Sequence, residues 1–352
     1  MSLITTELLK FRFQIVLIAG LSLLLGSCDL LSTKVMKTQS GYSLGTSYAI
    51  KYEASHDSID YTDAIEEIFV NMNESMSTYL PNSLISRVNK GDSTIVVDDY
   101  FEEVFHEATK IWKTTNGAFD PTVGVLVNAW GFGPGDQIDD LTQEKVDSLL
   151  NFVGMNKVEI TAKGTVRKDD PNIFLDFNAL AKGYTIDLIG RFFDENNVEN
   201  YLIEIGGEIL TNGINTDKGA DWAIAIEDPR KEKEQRDYIA TVTLRDRAMA
   251  TSGNYRKYRI DEATGELFVH TINAKTGYPK KSNILSVSVI APTCTVADAY
   301  ATAFLAMDIE DVKKTVESIP QVEAYLFIAG KDGQIEEFIT PGFQQVLMVD
   351  KE

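Results

Sequence analysis

The sequence feature that most constrains the fold is the succession of strand-like and helix-like patterns along residues 42–340. Strand composition or alternation marks residues 42–52, 157–160, 173–177, 201–210, 222–227, 238–244 and 284–290, and a closing hairpin of 323–328 with 338–340. Helical periodicity marks residues 57–76, 99–116, 141–150, 180–196 and the very apolar 296–307. These segments do not alternate regularly enough for a doubly wound sheet. The pattern therefore predicts an α+β fold of mixed sheets with packed helices.

The charge and the supply of metal ligands exclude two classes of function. The chain has 33 Lys and Arg against 53 Asp and Glu, a formal net charge of -20, which argues against a broad nucleic-acid-binding surface. Its 3 histidines and 2 cysteines are too few for a Cys₄ or Cys₂His₂ zinc site. Any bound metal is therefore expected to be a hard cation held by oxygen atoms.

The first 27 residues have the pattern of a secretion signal. Lys10 and Arg12 precede an apolar run, residues 13–25, that is too short to span a bilayer comfortably. The run ends at Leu25-Gly26-Ser27-Cys28, which resembles the bacterial lipobox, in which the cysteine is lipidated and becomes the first mature residue. The alternative is a signal anchor that happens to contain one cysteine. On spacing we favour the lipobox.

This interpretation predicts a signal peptide over residues 1–27, a lipidated tether over 28–40 and one domain over 41–345. The mature protein would be an acidic lipoprotein of the bacterial cell envelope, facing the periplasm, with the inner membrane as its expected anchor. With Cys28 lipidated, Cys294 has no partner, so no disulfide is predicted.

The junction between the predicted strand at 173–177 and the following helix could bind an anion. Asn178 is a candidate N-cap, and Lys182 and Gly183 fall in the first turns of the helix. Free backbone N–H groups, the helix dipole and one lysine suit a phosphate. From this segment alone, an ordinary capped junction with Lys182 in solvent is favoured.

Two further segments could approach a ligand with their backbone. Gly206-Gly207 interrupts the strand predicted at 201–210, which indicates a bulge or a ligand pressed against the chain. Residues 251–254 form a polar turn after a β segment and could hold phosphate oxygens. For the glycine pair a structural bulge is an equal alternative, and residues 251–254 taken alone indicate only a turn.

Two groups near the C-terminal end could carry out chemistry. His270 ends a strand and could be a general base, although a lone histidine is more often structural. Asp298 and Thr302 are four residues apart, hence on one face of an apolar helix, and such oxygen ligands suit Mg²⁺. The alternative is a capping box from Thr295 to Asp298, with Thr302 bonded back to a backbone carbonyl.

The order of these segments and their amino-acid sequences resemble the ApbE family of FAD:protein FMN transferases over residues 40–340. The blocks that carry the resemblance are Gly45-Thr46, 76–89 (MSTYLPNSLISRVN), 117–133 (GAFDPTVGVLVNAWGFG), 175–187 (LDFNALAKGYTID), 205–207 (IGG), 250–255 (ATSGNY), 270–279 (HTINAKTGYP) and 297–303 (ADAYATA). The family usually has Met where Leu44 stands, a change that keeps the apolar bulk. It usually has Asp-Pro where Asn273-Ala274 stands, so the loop after His270 lacks a negative charge and a rigid φ.

The resemblance implies a T-fold-like architecture of two intertwined lobes with the flavin nucleotide in the cleft. It implies Mg²⁺-dependent cleavage of FAD at its pyrophosphate, transfer of FMN to a threonine hydroxyl of an exported protein, and release of AMP. The acceptors it implies are subunits of Na⁺-translocating NADH:quinone reductase, Rnf-type subunits and other exported flavoproteins. The alternatives are an FAD pyrophosphatase, which makes FMN and AMP, and a non-catalytic FAD-binding lipoprotein.

The resemblance also implies the residues of the site. It assigns Mg²⁺ to Asp298, Thr302 and the backbone carbonyl of Ala179, and the base to His270 or Asp298. Contacts with the flavin nucleotide are expected from Leu44, Tyr79, Ala118, Phe119, Asp120, Lys182, Gly183, Gly206, Gly207, Ser252, Gly253, Asn254, Tyr255, His270 and Ile272.

Overall fold

The computed structural model describes residues 34–229, 237–253, 258–260, 267–269, 271–280, 282–330 and 334–348. The elements of the first half are β1 (Val35–Ser43), β2 (Thr46–Ala54), α1 (Thr62–Met76), α2 (Leu84–Asn89), α3 (Asp99–Thr114), α4 (Gly124–Ala129), α5 (Gln143–Leu150), β3 (Val158–Ile160), β4 (Val166–Lys168) and α6 (Ala181–Glu195). Those of the second half are β5 (Tyr201–Ile205), β6 (Glu208–Asn212), β7 (Trp222–Glu227), β8 (Tyr238–Leu244), β9 (Ala248–Gly253), β10 (Tyr258–Ile260), β11 (Leu267–Val269), β12 (Ile284–Ala291), α7 (Cys294–Ala306), α8 (Ile309–Glu317), β13 (Glu323–Ala329), β14 (Ile335–Ile339), α9 (Pro341–Val346) and β15 (Leu347–Met348).

A central sheet of eight strands organises the molecule. Its order is β1-β2-β5-β6-β9-β12-β13-β14, and every neighbouring pair is antiparallel. Smaller sheets are formed by β15-β8-β7, β3-β4 and β10-β11. The predicted α+β class is confirmed.

The two faces of the central sheet are covered differently, as the period of two along its strands requires. On β9, Ala248 and Ala250 belong to the large core beneath α6 and α7, whereas Met249 belongs to a second core against β7 and β8. On β12, Val287 likewise belongs to the large core and Ile290 to the second core. The helices therefore pack on one face and the three-stranded sheet on the other.

Helix α7 runs through the large core, and nearly all of its side chains are buried. Alanines at 297, 299, 301 and 303 let neighbouring backbones approach closely. In this apolar helix Asp298 is 2% exposed. A carboxylate at such a place is costly unless it is paired or hydrogen-bonded.

Two segments that were each predicted as one strand, the second interrupted by Gly206-Gly207, are hairpins. The interval 42–52 spans the end of β1 and most of β2, with a turn at Leu44 and Gly45, whose φ values are 49° and 76°. The interval 201–210 spans β5 and β6, with Gly206 and Gly207 as the turn at φ 66° and 104°. A two-residue turn preserves the alternation of buried and exposed positions, so periodicity alone does not reveal it.

Further sequence-based boundaries need correction. Residues 173–177 form no strand, and Phe174 makes an isolated bridge to Val123. Residues 251–253, predicted in a turn, lie in β9. Residues 35–40, assigned to the tether, lie in β1.

Within the described residues, no helix has both the length and the apolar character needed to cross a bilayer.

Candidate active site

The N-terminal turns of α6 and α7 touch backbone to backbone. A Cβ atom placed on Gly183 would lie 2.4 Å from the carbonyl oxygen of Cys294. The contact is possible because residue 183 has no side chain. It brings the segment around Ala179 to Lys182 against the start of α7.

Asp187 on α6 caps α7 from across this contact. Its carboxylate accepts hydrogen bonds from the backbone N–H of Cys294 (2.7 Å), the backbone N–H of Thr295 (2.8 Å) and the hydroxyl of Thr295. Thr293, the local N-cap of α7, accepts from the N–H of Val296. The capping box suggested for Thr295 is therefore absent, because Thr295 bonds to Asp187. A carboxylate at a helix N-terminus also interacts favourably with the helix dipole.

The start of α6 differs from the sequence-based expectation. The helix begins at Ala181, and its N-cap, Leu180, makes no side-chain capping bond. Asn178, the predicted N-cap, donates through its side chain to the hydroxyl of Thr78, and its N–H donates to Asp176. Asn178 therefore ties its loop to the segment that follows α1. In the first turn of α6 the N–H of Ala181 already donates to the carbonyl of Phe177, and the N–H of Gly183 donates to Asp298.

Lys182, Asp298 and Glu208 form a buried charged cluster, hereafter the Lys182 cluster. The ammonium of Lys182 lies 3.3 Å from Oδ2 of Asp298 and 3.4 Å from Oε1 of Glu208. The N–H of Gly183 donates to the same Asp298 oxygen over 3.2 Å. Lys182 therefore faces the protein interior, and the interpretation of a solvent-exposed lysine is wrong.

Burial controls the pKa values of the cluster. Burial raises the pKa of Asp298, although Lys182 and the N–H of Gly183 oppose the shift. Burial likewise raises the pKa of Glu208, to about 7. Burial alone would lower the pKa of Lys182, but Asp298 and Glu208 outweigh it and raise that pKa. Lys182 is thus an ammonium throughout the neutral pH range.

Glu208 was missed by sequence reasoning. It is the first residue of β6, directly after the glycine turn, and its Oε2 atom is buried without a hydrogen-bond partner. The alternation of side chains along β6 could have revealed it. Glu208 and Leu210 face the helices, and Ile209 between them belongs to the opposite core. An acidic residue on the helix-facing side of a strand indicates a buried partner.

Thr302 lies one helical turn beyond Asp298, on the same face of α7. Its hydroxyl is 3.4 Å from the hydroxyl of Ser252 on β9. Asp298 and Thr302 therefore both contact residues outside their own helix. The structure brings together Lys182, Gly183, Asp298, Thr302 and Ser252, which the sequence had placed in three separate segments.

The glycine turn adjoins this site. A Cβ atom on Gly206 would lie 2.9 Å from Cγ2 of Thr46 and 3.4 Å from Oε2 of Glu208. The N–H of Gly207 donates to Oε1 of Glu204 over 2.7 Å. The β1–β2 turn, with the partly buried Leu44, thus lies beside the Lys182 cluster.

Other predicted contact residues have diverse surroundings. Tyr79 is 62% exposed. Asp120 is buried and accepts from the N–H and hydroxyl of Thr122 and from the N–H of Met155. Phe119 is buried in the large core and Ile272 in a third one. The side chain of Asp120 is thus already engaged by its own loop and by the segment at Met155.

Four predicted residues lie outside the described residues: Cys28, Asn254, Tyr255 and His270. Their assigned roles remain predictions. Gly253, the last residue of β9, is buried next to Ser252. Cys294 is a free, buried cysteine, and burial raises its pKa well above the ordinary value.

The oxygen atoms of this site fit a hard cation. Among the described residues no group of three or more His, Cys, Asp or Glu side chains is arranged to hold a metal. One buried carboxylate, one hydroxyl and one backbone carbonyl nonetheless suit Mg²⁺, which keeps several waters and binds substrate phosphates. The side chains of Asp298 and Thr302 therefore fit Mg²⁺, and they would hold it together with the Ala179 carbonyl that the family resemblance implies.

The sequence and the fold are those of one protein family. The sequence profile of the ApbE family matches residues 44–326. The chain therefore belongs to the ApbE family, and the resemblance stated from the sequence is confirmed.

Characterised relatives extend over most of the chain. It is 35% identical over 330 residues to the FAD:protein FMN transferase of Haemophilus influenzae, covering 90% of this chain and 93% of that protein. Among solved structures, the flavin transferase ApbE from Vibrio cholerae superposes with a TM-score of 0.78 at 32% identity, covering 89% of this chain and 100% of that one. The apo flavinyl transferase ApbE of Pseudomonas stutzeri gives a TM-score of 0.77 at 27% identity, with 90% and 98% covered. The predicted enzyme class, a transferase, is confirmed.

Proposed function

We propose that this chain is a Mg²⁺-dependent FAD:protein FMN transferase that cleaves FAD at its pyrophosphate, attaches FMN to a threonine hydroxyl of an exported protein and releases AMP. Its relatives carry the name of this activity. The observation that carries the finer proposal is the contact of Asp298 with Lys182 and the N–H of Gly183. It places the carboxylate of α7 beside the start of α6, where the phosphates would lie.

Each residue of the site has a role in this reaction. Bound Mg²⁺ would neutralise negative charge on the phosphate oxygens. The ammonium of Lys182 supplies a second positive charge in an acidic protein, at the positive end of the α6 dipole. Asp298 and Thr302 would hold oxygen atoms at fixed positions because nearly all side chains of α7 are buried.

The transfer itself needs an acceptor for one proton. The threonine oxygen bonds to the phosphorus of the FMN half while the bond from that phosphorus to the bridging oxygen breaks, and AMP leaves with that oxygen. The hydroxyl proton passes to a base, for which His270 and Asp298 remain the candidates.

The test is an adduct assay. Purified protein, FAD, Mg²⁺ and a threonine-containing acceptor peptide should give a fluorescent flavin–peptide adduct and one AMP per adduct. EDTA or Asp298→Ala should abolish the adduct, whereas Asp308→Ala, which removes an exposed carboxylate on α8, should not. Adduct formation that survives EDTA would remove Mg²⁺ from the proposal. FMN and AMP without any adduct would identify a pyrophosphatase instead.

We also propose that the protein acts on the periplasmic side of the bacterial envelope, anchored by a lipid on Cys28. The support is the lipobox pattern and the apolar run before it. Acceptors would then be exported flavin-carrying subunits, including those of Na⁺-translocating NADH:quinone reductase and Rnf-type complexes. Cys28→Ala should move the protein from the membrane fraction to the soluble fraction and abolish labelling by a fatty acid; unchanged labelling would contradict the assignment.

A further inference from the structure

We infer that Lys182 is a built-in counter-cation that competes with the divalent ion for Asp298, and that Glu208 is the alternative partner that holds the ammonium when the ion binds. This inference rests on the proposed function, since it takes Asp298 as a Mg²⁺ ligand. It assigns a positioning role to Glu208 and predicts how both residues set the affinity for Mg²⁺.

The ammonium is shared nearly equally by two carboxylates on different elements. It lies 3.3 Å from Asp298 on α7 and 3.4 Å from Glu208 on β6, and Lys182 itself belongs to α6. Both distances are longer than an ideal charged hydrogen bond. A small rotation of the lysine side chain would strengthen one contact and release the other.

Burial makes this competition important. The side chains of Asp298 and Glu208 are 3% and 6% exposed, so bulk water cannot replace the ammonium as their partner. Two carboxylates and one ammonium leave the cluster with one net negative charge. A cation arriving at Asp298 therefore meets a carboxylate that is already partly neutralised.

Glu208 has a free site to receive the ammonium. Its Oε1 atom is the one near Lys182, whereas Oε2 is buried and has no hydrogen-bond partner. A lysine carries three N–H donors and can bond to both oxygens of one carboxylate. If the ammonium turned fully towards Glu208, it would satisfy this unpartnered atom and free Asp298 for the ion.

The two residues should have opposite effects on Mg²⁺ affinity. Removing the charge of Lys182 eliminates the competitor and makes the cluster more negative. Removing the charge of Glu208 leaves the ammonium with Asp298 alone and makes the cluster less negative. At a few ångströms and an effective dielectric constant of about 20, either change should alter the affinity by about tenfold or more.

The experiment measures Mg²⁺ binding by calorimetry to the purified chain, without FAD, at pH 8. We expect Lys182→Gln to bind Mg²⁺ about tenfold more tightly and Glu208→Gln about tenfold more weakly than the wild type. The matched controls are Lys37→Gln and Glu53→Gln. Lys37 has the same side-chain exposure as Lys182, 27%, and pairs with Asp57; Glu53 is 9% exposed and pairs with Lys34.

Thermal unfolding gives a second readout. Without Mg²⁺, Lys182→Gln should unfold at a lower temperature than wild type because two buried carboxylates lose their counter-charge. Saturating Mg²⁺ should raise its midpoint more than that of wild type, because tighter ligands stabilise more at a given concentration. If Lys182→Gln does not fold, Glu208→Gln, which preserves shape, decides the question alone.

The outcomes separate the inference from the proposed function. If Asp298→Asn binds Mg²⁺ as well as wild type does, the proposed metal site is wrong and the inference falls with it. If Asp298→Asn abolishes binding but Lys182→Gln and Glu208→Gln behave like their controls, the metal site stands and the competition is refuted. Weaker binding in Lys182→Gln would also refute it.

Discussion

The Cα atom of Gly183 faces the carbonyl oxygen of Cys294 so closely that an added Cβ would lie 2.4 Å from that oxygen. Gly183 lies in the first turn of α6 and Cys294 begins α7, and these helices carry Lys182 and Asp298. Since the obstacle is backbone and not a flexible side chain, a methyl group can be accommodated only if the helices separate. The distance across the candidate site is therefore set by the absence of one side chain.

The first prediction follows from this contact. Gly183→Ala should lower the free energy of unfolding by about 1–3 kcal/mol through overpacking, and should weaken Mg²⁺ binding because Asp298 moves away from the start of α6. The control is Gly190→Ala in the same helix, whose Cβ would meet the end of the Leu210 side chain. That side chain can move, so the control should lose less stability and keep its Mg²⁺ affinity. Equal losses in both variants would contradict the special role of residue 183.

The second prediction concerns Asp187, the carboxylate that caps α7. Asp187→Ala leaves the N–H groups of Cys294 and Thr295 buried without an acceptor, and should cost about 3 kcal/mol in urea unfolding. The matched control is Asp308→Ala, at the N-cap of α8, where the side chain makes no capping bond and its ion pair with Lys280 is exposed. Its cost should stay below about 1 kcal/mol. Similar costs would mean that the cap contributes little.

The contact of Gly183 with Cys294 and the cap given by Asp187 join distant parts of the chain, and the sequence alone did not predict them. The spacing of Asp298 and Thr302 put both on one helix face, and the resemblance joined them to Ala179. Asp187 was placed in a matching block, but a cap given by a different helix leaves no local pattern. Glu208 was missed because an acidic residue after two glycines is typical of a solvated turn.

The hairpin turn at Leu44 was not predicted from the sequence, also because its local residues give no signal. Residues in a turn with positive φ are usually Gly, Asn or Asp, and leucine gives no such signal. Its φ of 49° is held by the complete register of β1 and β2, from Val35 opposite Ala54 to Ser43 opposite Thr46. Contacts along the whole hairpin thus decide a conformation that the local residue disfavours.

The third prediction uses the pKa of Glu208, which burial raises from 4.5 to about 7. A carboxyl that keeps its proton longer in the folded chain destabilises the fold as it ionises, so wild-type stability is lost as the pH rises through this interval. Glu208→Gln removes that loss. Relative to wild type, its free energy of unfolding should improve by up to about 3 kcal/mol between pH 5 and pH 8, measured with EDTA present.

Glu53→Gln is the control for this pH dependence. Burial alone raises the pKa of Glu53, but hydrogen bonds from Asn200, Lys34 and Thr216 outweigh it and hold that pKa below the ordinary value. Glu53 is therefore ionised in both the folded and the unfolded chain from pH 5 to pH 8. The difference between this variant and wild type should be flat across that range. A flat difference for Glu208→Gln as well would show that Glu208 ionises normally.

The last prediction concerns Tyr79, an aromatic ring left 62% exposed between α1 and α2. An exposed ring supports little of the core, but it offers a face on which a flat heterocycle can stack. If Tyr79 contacts FAD as the family resemblance implies, Tyr79→Ala should weaken FAD binding about tenfold, the effect expected for one stacked base, without changing the unfolding midpoint. Tyr238→Ala is the matched control, because this ring at the start of β8 is 61% exposed. FAD titration by flavin fluorescence should distinguish the two variants; equal affinities would place the adenine and the flavin away from Tyr79.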